Sequence, residues 1–369
     1  MRALLVQAGE RLLVDCDSAS LARLLTEGGD RAWRSPEGAR ADVHVVVESR
    51  RAPFDVRGWA VLTRGGHAKD GAVVLANACG SGFDLRLAVT GGRLEVTARW
   101  RPPVRERAAA RLLRSRFHLL ARAVLLQYPA LWWAGCRGRT PLHASPVALG
   151  SSASPGAPPG AVGPVPLLAG PGGAGRSTLL LGAVAAGGRT VSDNLCVTDG
   201  GDCFGLVEPV RVEGDGGRRM AYGRTERPLP GRVESLRPDR LVLLRRTPSG
   251  RPVVRPLHPA QAARTLVAAT YLAGELRRYW SFAAALALGT GLGPAHPPVA
   301  EVADRIARRL PAHELVLGDS PEEGLAALYA LTTERTEATV TTASTADTPE
   351  TATAPDTAEA PSMNAGGTP

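Results

Sequence analysis

The sequence predicts an α/β protein in three parts. An N-terminal, mostly antiparallel β domain (1–104) precedes an α/β core (105–330), and a disordered tail (331–369) follows. Three observations predict this. Seven short apolar segments, separated by turn residues, fill the first part. A strand, a glycine-rich loop and a helix follow one another across 164–188. The C-terminal segment is made largely of Thr, Ala, Pro and acids and has no aromatic residue after Thr332. With 369 residues, 44% of them hydrophobic, the chain can build a sizeable core.

In the first part, ALLV, RLLVDC, DVHVVVES, WAVLTR, GAVVLANA, FDLRLAVT and RLEVTARW alternate or run apolar, as short strands do. Leu21–Glu27 is the one expected helix there. His44 and His67 stand alone, which reads as surface or structural rather than ligating. Arg105–Tyr128 is expected to be one amphipathic helix. Ala109, Leu112, Leu113, Phe117, Leu120, Val124 and Tyr128 fall at three- and four-residue steps. Arg107, Arg111, Arg114, Arg116 and Arg122 take the remainder, as a solvated face; phosphate or membrane-surface binding is the alternative. PALWWAG then leads into a strand, PLHASPVALG. Residues 151–164, SSASPGAPPGAVGP, read as a flexible insertion inside a hairpin.

The chemistry-bearing motif comes next. Gly170-Pro171-Gly172-Gly173-Ala174-Gly175-Arg176-Ser177-Thr178 follows the VPLLA strand and opens the helix LLLGAVAAGG. That is the context of a phosphate-binding P-loop. Glycines let backbone N–H groups face a phosphate, and a helix N-terminus favours negative charge. Ser177 is placed to ligate Mg²⁺, and Thr178 caps or packs nearby. Arg176 stands where lysine is usual, a planar fork instead of a point charge. A plain Gly-rich turn is the alternative. Gly138-Arg139-Thr140, Gly188-Arg189-Thr190 and Gly223-Arg224-Thr225 share the GR[ST] ending, but only the copy at Gly175 has a glycine five residues earlier. Seventeen residues after Arg176, a short strand delivers Asp193-Asn194. A phosphoryl-transfer site needs such an acid as metal ligand or base; an Asp–Asn turn is the other reading.

Downstream, FGLVEPVRVEG carries Glu208, Arg211 and Glu213, read as a solvated strand or, alternatively, as a completion of a metal shell. RLVLLRR (240–246) is an expected core strand. Pro259–Leu288 is expected to be helical with Trp280 and Phe282 in the core, Ala300–Leu310 to be a helix, and HELVLGD a last strand.

PLHAS, the loop segment and GGRTVSDN together resemble the HPr serine kinase/phosphorylase-like group, which shares its core with phosphoenolpyruvate carboxykinases. His143, Gly170 to Ser177, Gly188-Arg189 and Ser192-Asp193-Asn194 occupy the group's places in order over Pro141–Val197. The resemblance implies an HPr-kinase-like P-loop core. Gly170, Gly172, Gly173, Ala174, Gly175, Arg176, Ser177 and Thr178 would hold ATP phosphates, and Ser177, Asp193 and Asn194 would hold Mg²⁺. Asp193 would take the acceptor hydroxyl's proton, with His143 and Arg176 near the transferred phosphate. The acceptor would be a protein serine or a small molecule. Two departures, Arg176 for lysine and Asn194 for a second acid, motivate the alternative of a catalytically degenerate nucleotide-binding regulatory or accessory protein.

Charge and cysteine usage narrow the classes. The net charge is +9, from 43 arginines, one lysine (Lys69) and 35 acids. From Thr332 onward the net charge is −5, which leaves +14 on the rest. Arginine in place of lysine, with abundant Ala, Gly and Pro, reads as GC-rich codon usage. No basic cluster is interleaved with aromatics in sequence, so a nucleic-acid partner is not favoured. Five scattered cysteines without a CxxC indicate neither a disulfide framework nor a zinc site. No apolar run is long enough for a signal peptide or a membrane span. A cytoplasmic protein is expected, and a homo-oligomer stays open.

Overall fold

A computed structural model describes residues 1–29, 32–38, 40–150, 163–213, 218–220, 224–248 and 250–342. Residues 1–329 form one compact unit; the described part of a second, 330–342, is the end of a helix.

β1 (Arg2–Gln7) and β2 (Glu10–Cys16) form a hairpin through Ala8 and Gly9, both at positive φ as a two-residue primed turn requires. α1 (Ala19–Gly29) and β3 (Trp33–Arg34) follow. β4 (Val43–Glu48), β5 (Ala60–Thr63), β6 (Gly66–Lys69) and β7 (Ala72–Leu75) come next, then β8 (Phe83–Thr90) and β9 (Arg93–Trp100). They make one sheet in the order β3-β1-β2-β4-β9-β8-β7-β6-β5. Pairing is antiparallel except at its centre, where β4 runs parallel to both β2 and β9. Strand alternation selects the buried face: in β4, Val43, Val45 and Val47 are buried, whereas His44, Val46 and Glu48 are not fully so.

The basic segment is not the single helix its periodicity predicts. α2 (Val104–Leu112) stops at Leu113, whose φ −113° and ψ 60° are non-helical, and α3 (Arg114–Arg122) restarts. No residue of α2 is buried; Leu112 is 82% exposed. Ala109 is half-buried, but Leu112 and Leu113 of the expected stripe are exposed where the two helices meet, so packing there does not hold them in register. Arg122, assigned to a solvated face, is buried. A π-helical turn (Ala123–Gln127) then leads into α4 (Tyr128–Cys136), in which every residue but the last is buried.

The remaining elements run β10 (Thr140–Leu142), β11 (Ala144–Ala148), β12 (Pro166–Ala169), α5 (Arg176–Ala185), β13 (Arg189–Thr190), β14 (Cys196–Thr198), β15 (Cys203–Gly205), β16 (Val210–Glu213), β17 (Arg218–Arg219) and β18 (Arg224–Arg227). After them come β19 (Ser235–Leu236), β20 (Arg240–Arg246), β21 (Val253–Pro256), α6 (Pro259–Leu272), α7 (Arg277–Thr290), α8 (Val299–Arg309), β22 (Ala312–Leu317) and α9 (Pro321–Thr342). A six-stranded sheet has the order β13-β11-β12-β20-β22-β21, with β12, β20 and β22 mutually parallel. Two small antiparallel sheets, β10-β14-β15-β19 and β16-β18-β17, flank it. β11 and β12 pair as the expected hairpin; its insertion lies outside the described residues except for 163 and 164. The helix expected over Pro259–Leu288 is two, interrupted between Leu272 and Arg277.

The boundary expected at 104/105 does not separate two cores. One cluster joins Leu12, Val45 and Leu87 of the N-terminal sheet to Trp132 of α4 and to Tyr279 and Phe282 of α7. α4 packs against β2, β4 and β9 on one side and β10 and α7 on others, while α7 also covers β5 to β8. A second cluster lies between the six-stranded sheet and α6 and α8. At the C-terminus, helix α9 runs to Thr342, twelve residues into the segment expected to be unstructured; 343–369 lie outside the described residues. Among the described residues no helix is long and apolar enough to cross a membrane.

Because the nine-stranded sheet is covered by helices from beyond residue 104, residues 1–104 expressed alone are expected to show no cooperative urea transition. The full chain is expected to lose far-UV circular dichroism and tryptophan fluorescence in coincident transitions.

Candidate functional site

β12 carries Leu167, Leu168 and Ala169 fully buried to the point where the glycine loop begins. The C-terminal ends of its parallel neighbours lie alongside, the position at which open α/β sheets hold ligands. Two glycines are needed for this close approach. A Cβ on Gly170 would sit 2.7 Å from the Leu244 carbonyl oxygen of β20. Gly175, at φ +94°, would place one 2.8 Å from Leu317 Cδ1 of β22. Gly175 also precedes α5 without a side-chain cap, so the first N–H groups of the helix have no side-chain acceptor there.

Pro171 to Thr178 line one wall of a cleft of about 750 Å³. His143, Asp193, Asn194, Arg211 and Glu275 line others, and the C-terminal end of α6 closes a further side. Gly170 lies at the root of the loop, behind this surface. The remaining predicted site residues, on β12–α5, the β10–β11 junction and the turn before β14, are thus brought to one place.

Within the cleft Ser177 donates from Oγ to Asp193 Oδ2 at 2.9 Å. Asp193 is buried, and its Oδ1 has no hydrogen-bond partner. Its backbone carbonyl accepts from the Ser145 hydroxyl, which ties the acid to β11. Burial raises the Asp193 pKa, and the Ser177 hydroxyl and the Arg176 charge pull the other way.

Arg176 points inward rather than standing free in the cleft. Its Nη1 donates to the His143 carbonyl at 3.0 Å, and its Nη2 meets His143 Nε2 at 2.8 Å and Asn194 Oδ1 at 3.3 Å. Guanidinium only donates, so Nε2 of His143 is the acceptor and the ring is neutral. Burial first, then the Arg176 charge, lower the His143 pKa to about 4. The Arg176 pKa is lowered by burial and supported by Asp193, Glu208 and Glu275. His143 therefore positions Arg176 in this arrangement; its backbone N–H in turn donates to Thr270 Oγ1 of α6 at 3.2 Å.

Behind Asp193 and Asn194 lies a charge network that the sequence reading did not assemble. Glu208 is buried, not on a solvated strand, and its Oε1 accepts the Asn194 N–H at 3.2 Å. Burial raises its pKa to about 7 against the lowering fields of Arg211 and Arg122. Arg122 Nη2 pairs with Glu226 Oε1 at 3.2 Å, with both side chains buried. Arg211 lies 3.7 Å from the same oxygen and 3.3 Å from Glu275 Oε1. Arg122, Glu226 and Glu275 carry no motif. The one available cue is that Arg122 is the last charge before a long apolar run, in which a helix is buried on all sides.

Magnesium fits part of this set. Ser177 Oγ and the unpartnered Asp193 Oδ1 are oxygen donors that suit a hard cation shared with a phosphate. Asn194 does not fit, because its Oδ1 is turned to Arg176. No three His, Cys, Asp or Glu side chains converge into a metal cluster among the described residues.

The raised Glu208 pKa has a definite sign. Between about 4.5 and about 7 the folded chain holds a proton on Glu208 that the unfolded chain has released. Stability contributed by this group therefore falls as pH rises through that window. Glu10, also raised to about 7 by burial, acts in the same direction, and His143 acts oppositely between about 4 and 6.5. The difference between wild type and Glu208→Gln isolates one group. Urea midpoints are expected to favour the variant progressively more from pH 5 to pH 8.

No protein-family model matches the chain, and no curated protein matches it.

Proposed function

We propose that this chain is an ATP-binding, Mg²⁺-dependent phosphotransferase of the HPr serine kinase-like type, acting on a protein serine or a small-molecule hydroxyl. The observation that carries the reading is the Ser177–Asp193 hydrogen bond of 2.9 Å, with the buried Asp193 Oδ1 left without a hydrogen-bond partner beside a glycine loop and an uncapped helix start. An acid, a metal-competent hydroxyl and an anion-binding loop are the parts a phosphoryl transfer needs in one cleft.

In this reading the loop amides and the start of α5 hold the triphosphate. Mg²⁺, when bound, would neutralise charge on the phosphates, with Ser177 Oγ as its protein donor, which leaves Asp193 Oδ1 to act as base. Asp193 Oδ1 accepts the proton of the acceptor hydroxyl as that oxygen bonds to the γ-phosphorus and the bond to the β-phosphate oxygen breaks. A carboxylate with a raised pKa is the stronger base for this. Arg176 stays behind the loop, held by His143 and Asn194, and contributes field rather than direct contact. ADP and the phosphorylated acceptor leave.

A second reading has its own observation. Arg176 is buried with both terminal nitrogens, Nη1 and Nη2, engaged, and Asn194 supplies no charge. A site so arranged binds nucleotide with little turnover, as a regulatory or accessory module does.

Calorimetric titration of ATP with Mg²⁺ tests both readings: wild type is expected to bind and Arg176→Ala to bind more weakly. Asp193→Asn is expected to retain binding while phosphate release or transfer falls by about 10²–10⁴-fold. Binding without turnover in wild type selects the second reading, and no binding at all removes both.

A further inference from the structure

The second concentration of chemistry lies away from the cleft, where β9 gives way to α2. A hollow of about 340 Å³ is lined by Arg51, Trp100, Arg101, Pro102, Arg107 and Arg111. Four of its six lining residues are arginines, and none is acidic. Sequence alone scatters them: Arg51 follows β4, Trp100 ends β9, and Arg107 and Arg111 are one turn apart on α2.

The positive charge there is not balanced locally. Arg101 is neutralised by Asp84, and its Nε donates to the Arg51 carbonyl at 2.7 Å, which ties the two segments together. Among the described residues no carboxylate pairs with Arg51, Arg107 or Arg111. The one acid of α2, Glu106, is taken by Arg105 at 3.2 Å. Arg107 and Arg111 lie at i and i+4, where like charges repel and weaken a helix. α2 buries no residue, so packing does not repay that repulsion. An anion seated between the two guanidiniums and Arg51 would. The guanidinium fork matches phosphate oxygens two at a time, and Trp100 adds a rigid apolar wall.

We infer that this hollow is a binding site for a small ligand bearing two or more adjacent phosphates. Three guanidiniums without a carboxylate partner among the described residues, of which Arg107 donates from Nη2 to the Pro102 carbonyl at 3.5 Å, surround about 340 Å³ and suit an oligophosphate rather than a single monoanion. The inference does not depend on what the cleft binds.

The test titrates inorganic tripolyphosphate into the full chain at low and moderate salt, with circular dichroism as a check on folding. The comparison is with R107A/R111A, with R107K/R111K and with Arg176→Ala. Wild type and Arg176→Ala are expected to share a binding event that weakens at least tenfold in R107A/R111A. The lysine pair is expected to keep part of it, and the affinity to fall with salt. Unchanged binding in R107A/R111A, or an event lost only in Arg176→Ala, overturns the inference. Single-stranded RNA or anionic vesicles bound more tightly than tripolyphosphate, and lost in the same variant, also overturn the small-ligand assignment.

Discussion

A helix without a polar face has to be covered on every side. α4, YPALWWAGC, is that helix here. Only its terminal Cys136 escapes full burial, and Trp132 has no exposed surface. The nine-stranded sheet supplies one cover, and β10 and α7 supply others. This requirement makes residues 1–329 one unit although the chain reads as two. It also draws Arg122, at the end of the preceding helix, into the interior.

Once Arg122 is inside, it needs a counter-charge, because a lone buried ion costs several kcal/mol (about 3–5 when a pair is broken). Glu226 meets it, and Arg211 and Glu275 extend the chain of charges to the wall of the cleft. Glu208, beside the same arginines, holds the backbone of Asn194. The acid-bearing turn at Asp193 is thus braced from behind by ions whose presence follows from helix burial. Arg176 adds to the front of the same system. A lysine would offer one point charge there; the guanidinium reaches the His143 carbonyl, the His143 ring and Asn194 together.

Much of this was legible before folding was considered. Period-2 patterning located the strands of the N-terminal sheet, and the glycine loop announced the β12–α5 junction. The order of His143, Ser177 and Asp193 suggested that they would meet, and they line one cleft. Other features were hidden. Periodicity gave one helix over 105–128, but a stripe stabilises a helix only against a surface, and Leu112 and Leu113 have none. Glu208 read as solvated because it is a carboxylate in a segment that also carries Arg211 and Glu213, although apolar Val207 and Pro209 flank it; in space it lies beside Arg211 and Arg122. The lack of a basic-aromatic cluster in sequence likewise did not survive folding: Arg51, Trp100, Arg107 and Arg111 meet around one hollow.

The sequence by itself determined what depends on near neighbours: strand and helix periods, the positive-φ glycines of the loop, and the acid seventeen residues beyond it. Tertiary structure alone decided the rest. Whether an arginine is solvated, as Arg107 is, or buried and paired, as Arg122 and Arg176 are, depends on which surfaces close over it. That closure is set by packing between segments distant in sequence, 104 residues apart for Arg122 and Glu226 and 33 for Arg176 and His143, about which local pattern carries no information.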